Sequence, residues 1–411
     1  MSAVQKEFDI VVFGATSFVG RLLVIYLNER YGADGDLKWA LAGRSPAKLE
    51  ALKSELDLTA LPTLVAEAGD EAALRDMAAR TRVVCTTVGP YALHGSALVA
   101  ACVAEGTDYC DLTGEVQWIA RMIDAHEDAA RQSGARIIHT CGFDSIPSDL
   151  GVWFTQQQAQ AQLGEHCSEI RMGIRRARGS FSGGTIESLT NAIDEARRDG
   201  AVRKRMQNPY GLCPANQRRG VRQKNVTSPA YLDEAGSWVG PFIMASINTR
   251  IVHRSHALAG RPWGDDFRYD ESMMLGDGLA GRLRAGALAA GTGGLVGLLA
   301  LAPSRALLKR FALPKAGEGP SEEAQRKGHF DFRFFGHTAS GRRIVTRVTG
   351  DRDPGYGSTC KMLGEAAVCL AREELAHAEG GFPTPSHAFG SHLVDRLTAR
   401  AGLTFDVLET Q

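Results

Sequence analysis

Residues 8–28, FDIVVFGATSFVGRLLVIYLN, constrain the fold more than any other stretch. Ile10, Val11, Val12 and Phe13 form a short, β-branched apolar run, as expected of a strand buried on both faces. The chain then breaks into Gly14-Ala15-Thr16-Ser17-Phe18-Val19-Gly20, after which Val19, Leu22, Leu23, Tyr26 and Leu27 recur at helical spacing. A strand, a small-residue turn and a helix start make an anion site, because free backbone N–H groups and the positive end of the helix dipole face outward over the turn. Gly14 suits the sharp turn and Gly20 a close helix–strand approach. Ser17 stands where the usual fingerprint has its middle glycine; it is small and carries a hydroxyl that can reach a phosphate oxygen. Gly14 to Gly20 therefore predicts a dinucleotide pyrophosphate site.

The second strand, Lys38 to Ala42, decides which dinucleotide. It runs into Gly43-Arg44-Ser45-Pro46, with Ser45 as an N-cap, Pro46 at the first helical position, and Leu49, Leu52 and Leu56 on one helix face. An NAD site places an acid at this strand tip, about 20 residues past the glycines. Here Arg44 stands there, followed by the Ser45 hydroxyl and Lys48, a set suited to the 2′-phosphate of NADP. Further strands follow at Leu61–Ala66 and Val83–Val88, and shorter ones at Tyr109–Leu112 and Arg136–Thr140, with helices between them. Asp70, capping the helix after the third strand, is a further candidate beside the adenine. Thr87, Val88 and Gly89, at the end of the fourth strand, should lie next to the first turn, and Tyr91 follows them.

Alternating strands and helices over the first 140 residues predict an α/β fold, an N-terminal Rossmann domain with a doubly wound parallel sheet over residues 1–145. Residues 146–411 form a second, α+β substrate domain. It holds a strand at Glu169–Arg176, a hairpin of Phe330–Phe335 with Arg343–Val348, and a long helix from Thr359 to His377 capped by Ser358. A mixed or antiparallel sheet with helices on one side is expected, and the tail beyond Gly380 is a candidate to pack back on the first domain. Lys plus Arg equals Asp plus Glu at 47 each, so no global field points to nucleic acid. None of the eight cysteines forms a C-x-x-C pair, and several sit in apolar runs, the pattern of reduced core thiols in a cytosolic protein rather than of metal ligands. No signal-peptide pattern precedes the first strand.

The segments GATSFVG, LAGRS, TTVGPYALHG, GTDYCDLTGE, ARIIHTCGFDSIPSDLG and TGDRDPGYGSTCKMLGE occur in that order. Together they resemble the saccharopine dehydrogenase-like oxidoreductases and, within them, the trans-acting enoyl reductase branch. The resemblance runs from about Phe8 to Leu370. It implies a Rossmann domain with an α/β substrate domain, NADP (NADPH) as cofactor, and reduction of an enoyl bond on a lipid-type acyl chain. The alternatives are an amino-acid C–N oxidoreductase of the saccharopine type, and a lipid-associated nucleotide-binding protein without turnover.

Enoyl reduction needs a proton donor near the nicotinamide. Tyr91 is one candidate and Asp144 another, although Tyr91 also reads as a ring packed beside the cofactor and Asp144-Ser145-Ile146-Pro147 as a helix-entry turn. Cys141 reads as a buried thiol and Tyr356 as a residue that closes over substrate or shapes a loop. Gly183-Gly184-Thr185 before a helix is a second potential anion site. Residues 197–224 carry nine Lys or Arg against one acid, Asp199, a surface for phosphopantetheine, CoA or an acidic carrier, or simply a solvated loop. Residues 285–304 are 20 uncharged residues with five glycines, flanked by Arg282, Arg284 and Arg305. They read as a buried Ala/Gly-rich helix pair, a lipid-contacting hairpin, or a membrane span. The partners expected are a small-molecule or carrier-bound acyl substrate, a membrane surface met through 285–304, and a second copy of the chain. The location expected is the cytoplasm, peripheral at the inner face of a membrane.

Overall fold

The computed structural model describes residues 6–179, 183–301, 305, 319–375 and 379–411. Six parallel strands form the first sheet in the order β3-β2-β1-β4-β5-β6. They are β1 (Phe8–Phe13), β2 (Trp39–Gly43), β3 (Thr63–Val65), β4 (Thr81–Thr86), β5 (Asp108–Cys110) and β6 (Ile137–Ile138). β1 lies between β2 and β4, with Ile10 opposite Trp39 on one side and Val83 on the other. Ile10, Val11 and Val12 are fully buried, which accounts for a run without polar alternation. The strand order reverses between β1 and β4, so their carboxyl ends open a crevice at the point where such sheets bind ligands.

Helices α1 (Phe18–Tyr31) and α2 (Pro46–Glu55) cover one face; α3 (Glu71–Arg80), α4 (Tyr91–His94), α5 (Ser96–Ala104) and α6 (Val116–Ser133) belong to the other. The second sheet has seven strands, β13-β12-β11-β7-β10-β9-β8. These are β7 (Cys167–Arg178), β8 (Ala230–Leu232), β9 (Ser237–Pro241), β10 (Arg268–Met274), β11 (His329–Thr338), β12 (Arg343–Gly350) and β13 (Leu403–Thr410). Only β7 and β10 pair in parallel; the other neighbours are antiparallel, so the sheet is mixed. Helix α7 (Ile146–Leu163) lies on it so closely that a Cβ on Gly151 would meet the Phe334 ring at 2.2 Å. Between β7 and β10 run α8 (Gly183–Arg198), α9 (Gly200–Gln207) and α10 (Ala245–Leu258).

The long helix of the second half, Thr359–Arg372, packs on α1 and the first sheet. Its Glu365 is fully buried and accepts hydrogen bonds from Tyr26 (2.7 Å), Tyr31 (2.7 Å) and Arg396 Nε (2.9 Å), which ties the C-terminal region to α1. Ser358 precedes this helix but its hydroxyl donates to the Arg352 carbonyl and caps nothing. The tail also returns to the first domain: Gly381 accepts from Ile137 N (2.9 Å) and donates to the Ala135 carbonyl (2.8 Å), extending the sheet beyond β6. Residues 285–300 belong to one continuous helix, α11 (Gly278–Ala300), and not to a helix pair or a hairpin. Its first turns pack on β9, yet only 11% of its most apolar window is buried and Leu279 and Leu283 stand exposed. The buried-pair reading of this segment is therefore corrected; residues 302–304 lie outside the described residues.

Candidate functional site

The phosphate turn needs glycine at both ends. Gly14 has φ +89°, and a Cβ there would meet Val88 Cγ2 at 2.7 Å; a Cβ on Gly20 would lie 2.1 Å from the Gly14 carbonyl oxygen. Among the described residues the N–H groups of Thr16, Phe18 and Val19 have no partner, which leaves donors at the α1 N-terminus for an anion. Ser17 also has a role within the fold. Its Oγ accepts from Gly20 N (2.9 Å) and lies 2.9 Å from Thr87 Oγ1, which is itself 3.1 Å from the Gly14 carbonyl oxygen. The two hydroxyls therefore already have partners within the fold, either of them donating to the other. Ser17 caps the helix and staples it to the end of β4.

Arg44 follows the last residue of β2, is exposed, and has no hydrogen bond or ion pair among the described residues. Ser45 Oγ accepts from Lys48 N as the α2 cap, and Asp70 Oδ1 accepts from Ala73 N (3.0 Å) as the α3 cap. Ala15 is buried at the foot of the turn, while Val88 and Gly89 continue from Thr87 along its other side. Gly14 to Gly20, Arg44 to Lys48 and Thr87 to Gly89 thus surround one crevice. They suit a dinucleotide, with the pyrophosphate over the turn and the adenosine end toward Arg44.

Tyr91 does not face this crevice. It is 4% exposed, its hydroxyl donates to the Thr86 carbonyl (3.1 Å) and accepts from Leu112 N (3.4 Å), and its ring lies 5.5 Å from that of Trp118. Burial pushes its phenol well above the usual value, which opposes proton donation. Tyr91 clamps the ends of β4 and β5 together, and its assignment as a donor is corrected on that ground. The GTDYCDLTGE segment supplies two further buried anchors that the sequence did not single out. Asp111 accepts from Tyr109 OH (2.9 Å), Thr113 N (3.1 Å) and Thr140 N (3.0 Å), and lies 2.7 Å from His139 Nδ1. Glu115 accepts from Tyr91 N (2.8 Å), Ala92 N (3.0 Å) and Ser188 Oγ (2.8 Å), capping α4. Their signal was two acids in a near-apolar segment at a strand end, where burial demands partners.

Asp144 is the other candidate, and it remains open to solvent. It is half-buried in the turn between β6 and α7, without a hydrogen-bond partner among the described residues. A Cβ on Gly114 would lie 3.8 Å from its Oδ1 and 3.7 Å from Met244 Cε, which places the carboxyl between the β5–α6 loop and the start of α10. Burial first, and then the charge of Asp111, raise its pKa to about 7. Its neighbour Ser145 turns inward and donates to Asn248 Oδ1 (3.0 Å). Of the two proposed donors, only Asp144 is partly exposed with a pKa raised to near neutral pH.

Residues 10–138 match the family model of the saccharopine dehydrogenase NADP-binding domain. A Mycobacterium tuberculosis protein provisionally named a trans-acting enoyl reductase is 39% identical over 416 residues, 97% of this chain and 97% of that protein. The trans-acting enoyl reductase of Mycobacterium ulcerans is 36% identical over 415 residues, again 97% of both chains. The chain belongs to the saccharopine dehydrogenase-like oxidoreductases. In fold it is similar to saccharopine dehydrogenase (L-Glu forming) from Saccharomyces cerevisiae, with a TM-score of 0.54 and 10% identity over 97% of this chain and 99% of that one.

In this oxidoreductase the remaining candidates take structural places. Cys141 is fully buried with its thiol pushed well up by burial, and all eight cysteines are buried. The Tyr356 ring meets Phe18 edge-on at 4.9 Å and is 1% exposed, so it shapes the wall beside the phosphate turn. The turn before α8 carries side chains, at residues 180–186, that lie outside the described ones.

Proposed function

We propose that the chain is an NADPH-dependent reductase of a carbon–carbon double bond conjugated to a carbonyl on a lipid-type acyl substrate. The observation that carries this reading is that a phosphate-holding turn and the Asp144 carboxyl both follow the carboxyl ends of strands of the first sheet, and the raised pKa of Asp144 keeps a proton available. NADPH, when bound, would supply the hydride for the β-carbon. The chain's residues do the rest. The N–H groups of the turn hold the pyrophosphate and Arg44 the 2′-phosphate, which orients the dinucleotide along the strand ends. Asp144 delivers its proton to the α-carbon, so the double bond gains one hydride and one proton. The names of the full-length relatives support the enoyl choice, and the exposed apolar helix α11 supports an acyl substrate met at a membrane surface from the cytoplasmic side.

The test is consumption of NADPH by the purified chain, with 2-enoyl thioesters in one panel and 2-oxo acids with amines in the other. Consumption confined to the enoyl panel is the expected result. Consumption confined to the second panel would replace the reading with C–N chemistry, and binding of NADPH without turnover in either would leave a nucleotide-binding protein.

A further inference from the structure

A second, separate cavity of about 600 Å³ lies in the second domain, between the 207–225 segment, α10 and β10. That volume is in the range of small-molecule sites. Its wall carries Arg218, Arg219, Arg222, Lys224 and Arg250, and no Asp or Glu. Arg218 is held by Asp124 (2.7 Å) and Lys224 lies 3.4 Å from Glu169, both acids outside the lining. Arg219 and Arg222 side chains have no hydrogen bond or ion pair among the described residues. The Arg250 guanidinium binds only neutral groups, the Met206 carbonyl (2.6 Å) and Thr249 Oγ1 (3.0 Å). Burial pushes Arg250 down to about 10, so it stays charged at neutral pH without a carboxylate beside it. Two exposed cations and the partly buried Arg250 thus line one space whose wall holds no acid, an arrangement that suits an anionic ligand.

The cavity wall is also pre-shaped. Tyr210 OH donates to the Val221 carbonyl (2.8 Å) and accepts from Gln223 Nε2 (2.6 Å), and Asn208 Nδ2 donates to the Arg218 carbonyl (3.1 Å). A Cβ on Gly220 would stand 2.6 Å from the Tyr210 ring, so the cationic loop is folded tightly over that tyrosine. On the far wall, Tyr269 OH donates to Glu271 Oε1 (2.7 Å), whose Oε2 accepts from Asn248 Nδ2 (2.9 Å). Asn248 in turn accepts from Ser145, the residue after Asp144. These hydrogen bonds anchor the far wall to the start of α7.

We propose that this cavity binds a phosphate ester, with Arg219, Arg222 and Arg250 as its anion-holding residues. Guanidinium forks match the paired oxygens of a phosphate, and three cations on a wall without acids suit a dianion better than a single carboxylate. No residue of the 14–20, 44–48 or 87–89 segments lines it, so it is not the dinucleotide site. The phosphate can come from a soluble thioester carrier or from an anionic lipid headgroup. The inference is read by binding without turnover and so stands apart from the reductase reading.

The experiment uses the full chain, first titrated with NADPH and then held at saturating NADPH, which fills the first site and reports its failure separately. 3′,5′-ADP serves as the soluble phosphate ester and phosphatidic acid vesicles as the lipid source. Binding in either arm that weakens at least tenfold in the Arg219→Ser/Arg222→Ser double variant, with NADPH affinity unchanged, is the expected result, and the arm that binds assigns the source. Both substitutions are at exposed positions and leave the fold testable; Arg250→Lys adds a buried variant that keeps the charge. Binding of neither probe, equal binding by the double variant, or tighter binding of 2-oxoglutarate than of both phosphates would overturn the proposal.

Discussion

Replacing Asp144 with Asn tests the proton half of the site. At pH 7 a carboxyl with a pKa of about 7 is half protonated, whereas one at its ordinary 3.8 would be roughly 800-fold less so. The rate of the chemical step should therefore be flat below pH 7 and fall about tenfold per pH unit above it. Asn keeps the shape but has no transferable proton, so kcat should drop by about 10²–10⁴-fold and the pH dependence near 7 should vanish. NADPH affinity should not change, because Asp144 is not among the residues that would hold its phosphates. Stability gives an independent readout. The folded pKa lies above the unfolded one, so the favourable contribution is complete below pH 3.8 and is lost as pH rises through about 7. The gap corresponds to about 4 kcal/mol, and solvent access to a half-buried carboxyl reduces it to about 2 kcal/mol. Asp144→Asn should then match the wild type near pH 4 and be more stable by that amount at pH 8, measured by urea unfolding. A variant that kept kcat and its pH profile within about threefold would refute the assignment.

Arg44→Glu should weaken NADPH binding by about 10–100-fold, the worth of a charge-assisted phosphate contact, and change NADH binding by less than about threefold; equal effects on fluorescence titration would defeat the 2′-phosphate role. Glu365→Ala removes the buried acceptor shared by Tyr26, Tyr31 and Arg396, while Arg396 keeps Glu373 (2.7 Å), and should cost about 1–3 kcal/mol in urea melts. A loss under about 1 kcal/mol would mean that the contact between α1 and the C-terminal region is dispensable. Leu279→Gln with Leu283→Gln should abolish co-sedimentation with anionic lipid vesicles while NADPH consumption on a short, soluble enoyl thioester stays unchanged. Equal sedimentation of variant and wild type would rule out α11 as the membrane contact.

Local pattern was enough for the dinucleotide half of the site. β1, its turn and α1 are contiguous, and each glycine is demanded by atoms within the strand–turn–helix unit or at the neighbouring strand end. Ser45 and Asp70 were legible as helix caps because a cap bonds to an N–H three residues on. The long-range bonds of Ser17 and Tyr91 were not legible for the opposite reason. The partner of Ser17 is Thr87 and one partner of Tyr91 is Leu112, and hydroxyl direction depends on where those distant strand ends come to rest. The second sheet was legible only in β7 and the β11–β12 hairpin. β8 has three residues and β9 five, too short for alternation to register.

Burial also separates two segments whose apolar character alone could not. Thr359 to Ala371 is buried on nearly every side because it fills the space between the first sheet and the C-terminal region. α11 is as apolar and longer, yet mostly exposed; among the described residues its main contacts are with β9 and α8. A hydrophobic run states that some surface will be covered, but not by what. For the Thr359–Arg372 helix the cover is this chain's own first domain. For α11 no such cover lies over Leu279 and Leu283 among the described residues, and that exposed apolar face is what the vesicle experiment tests.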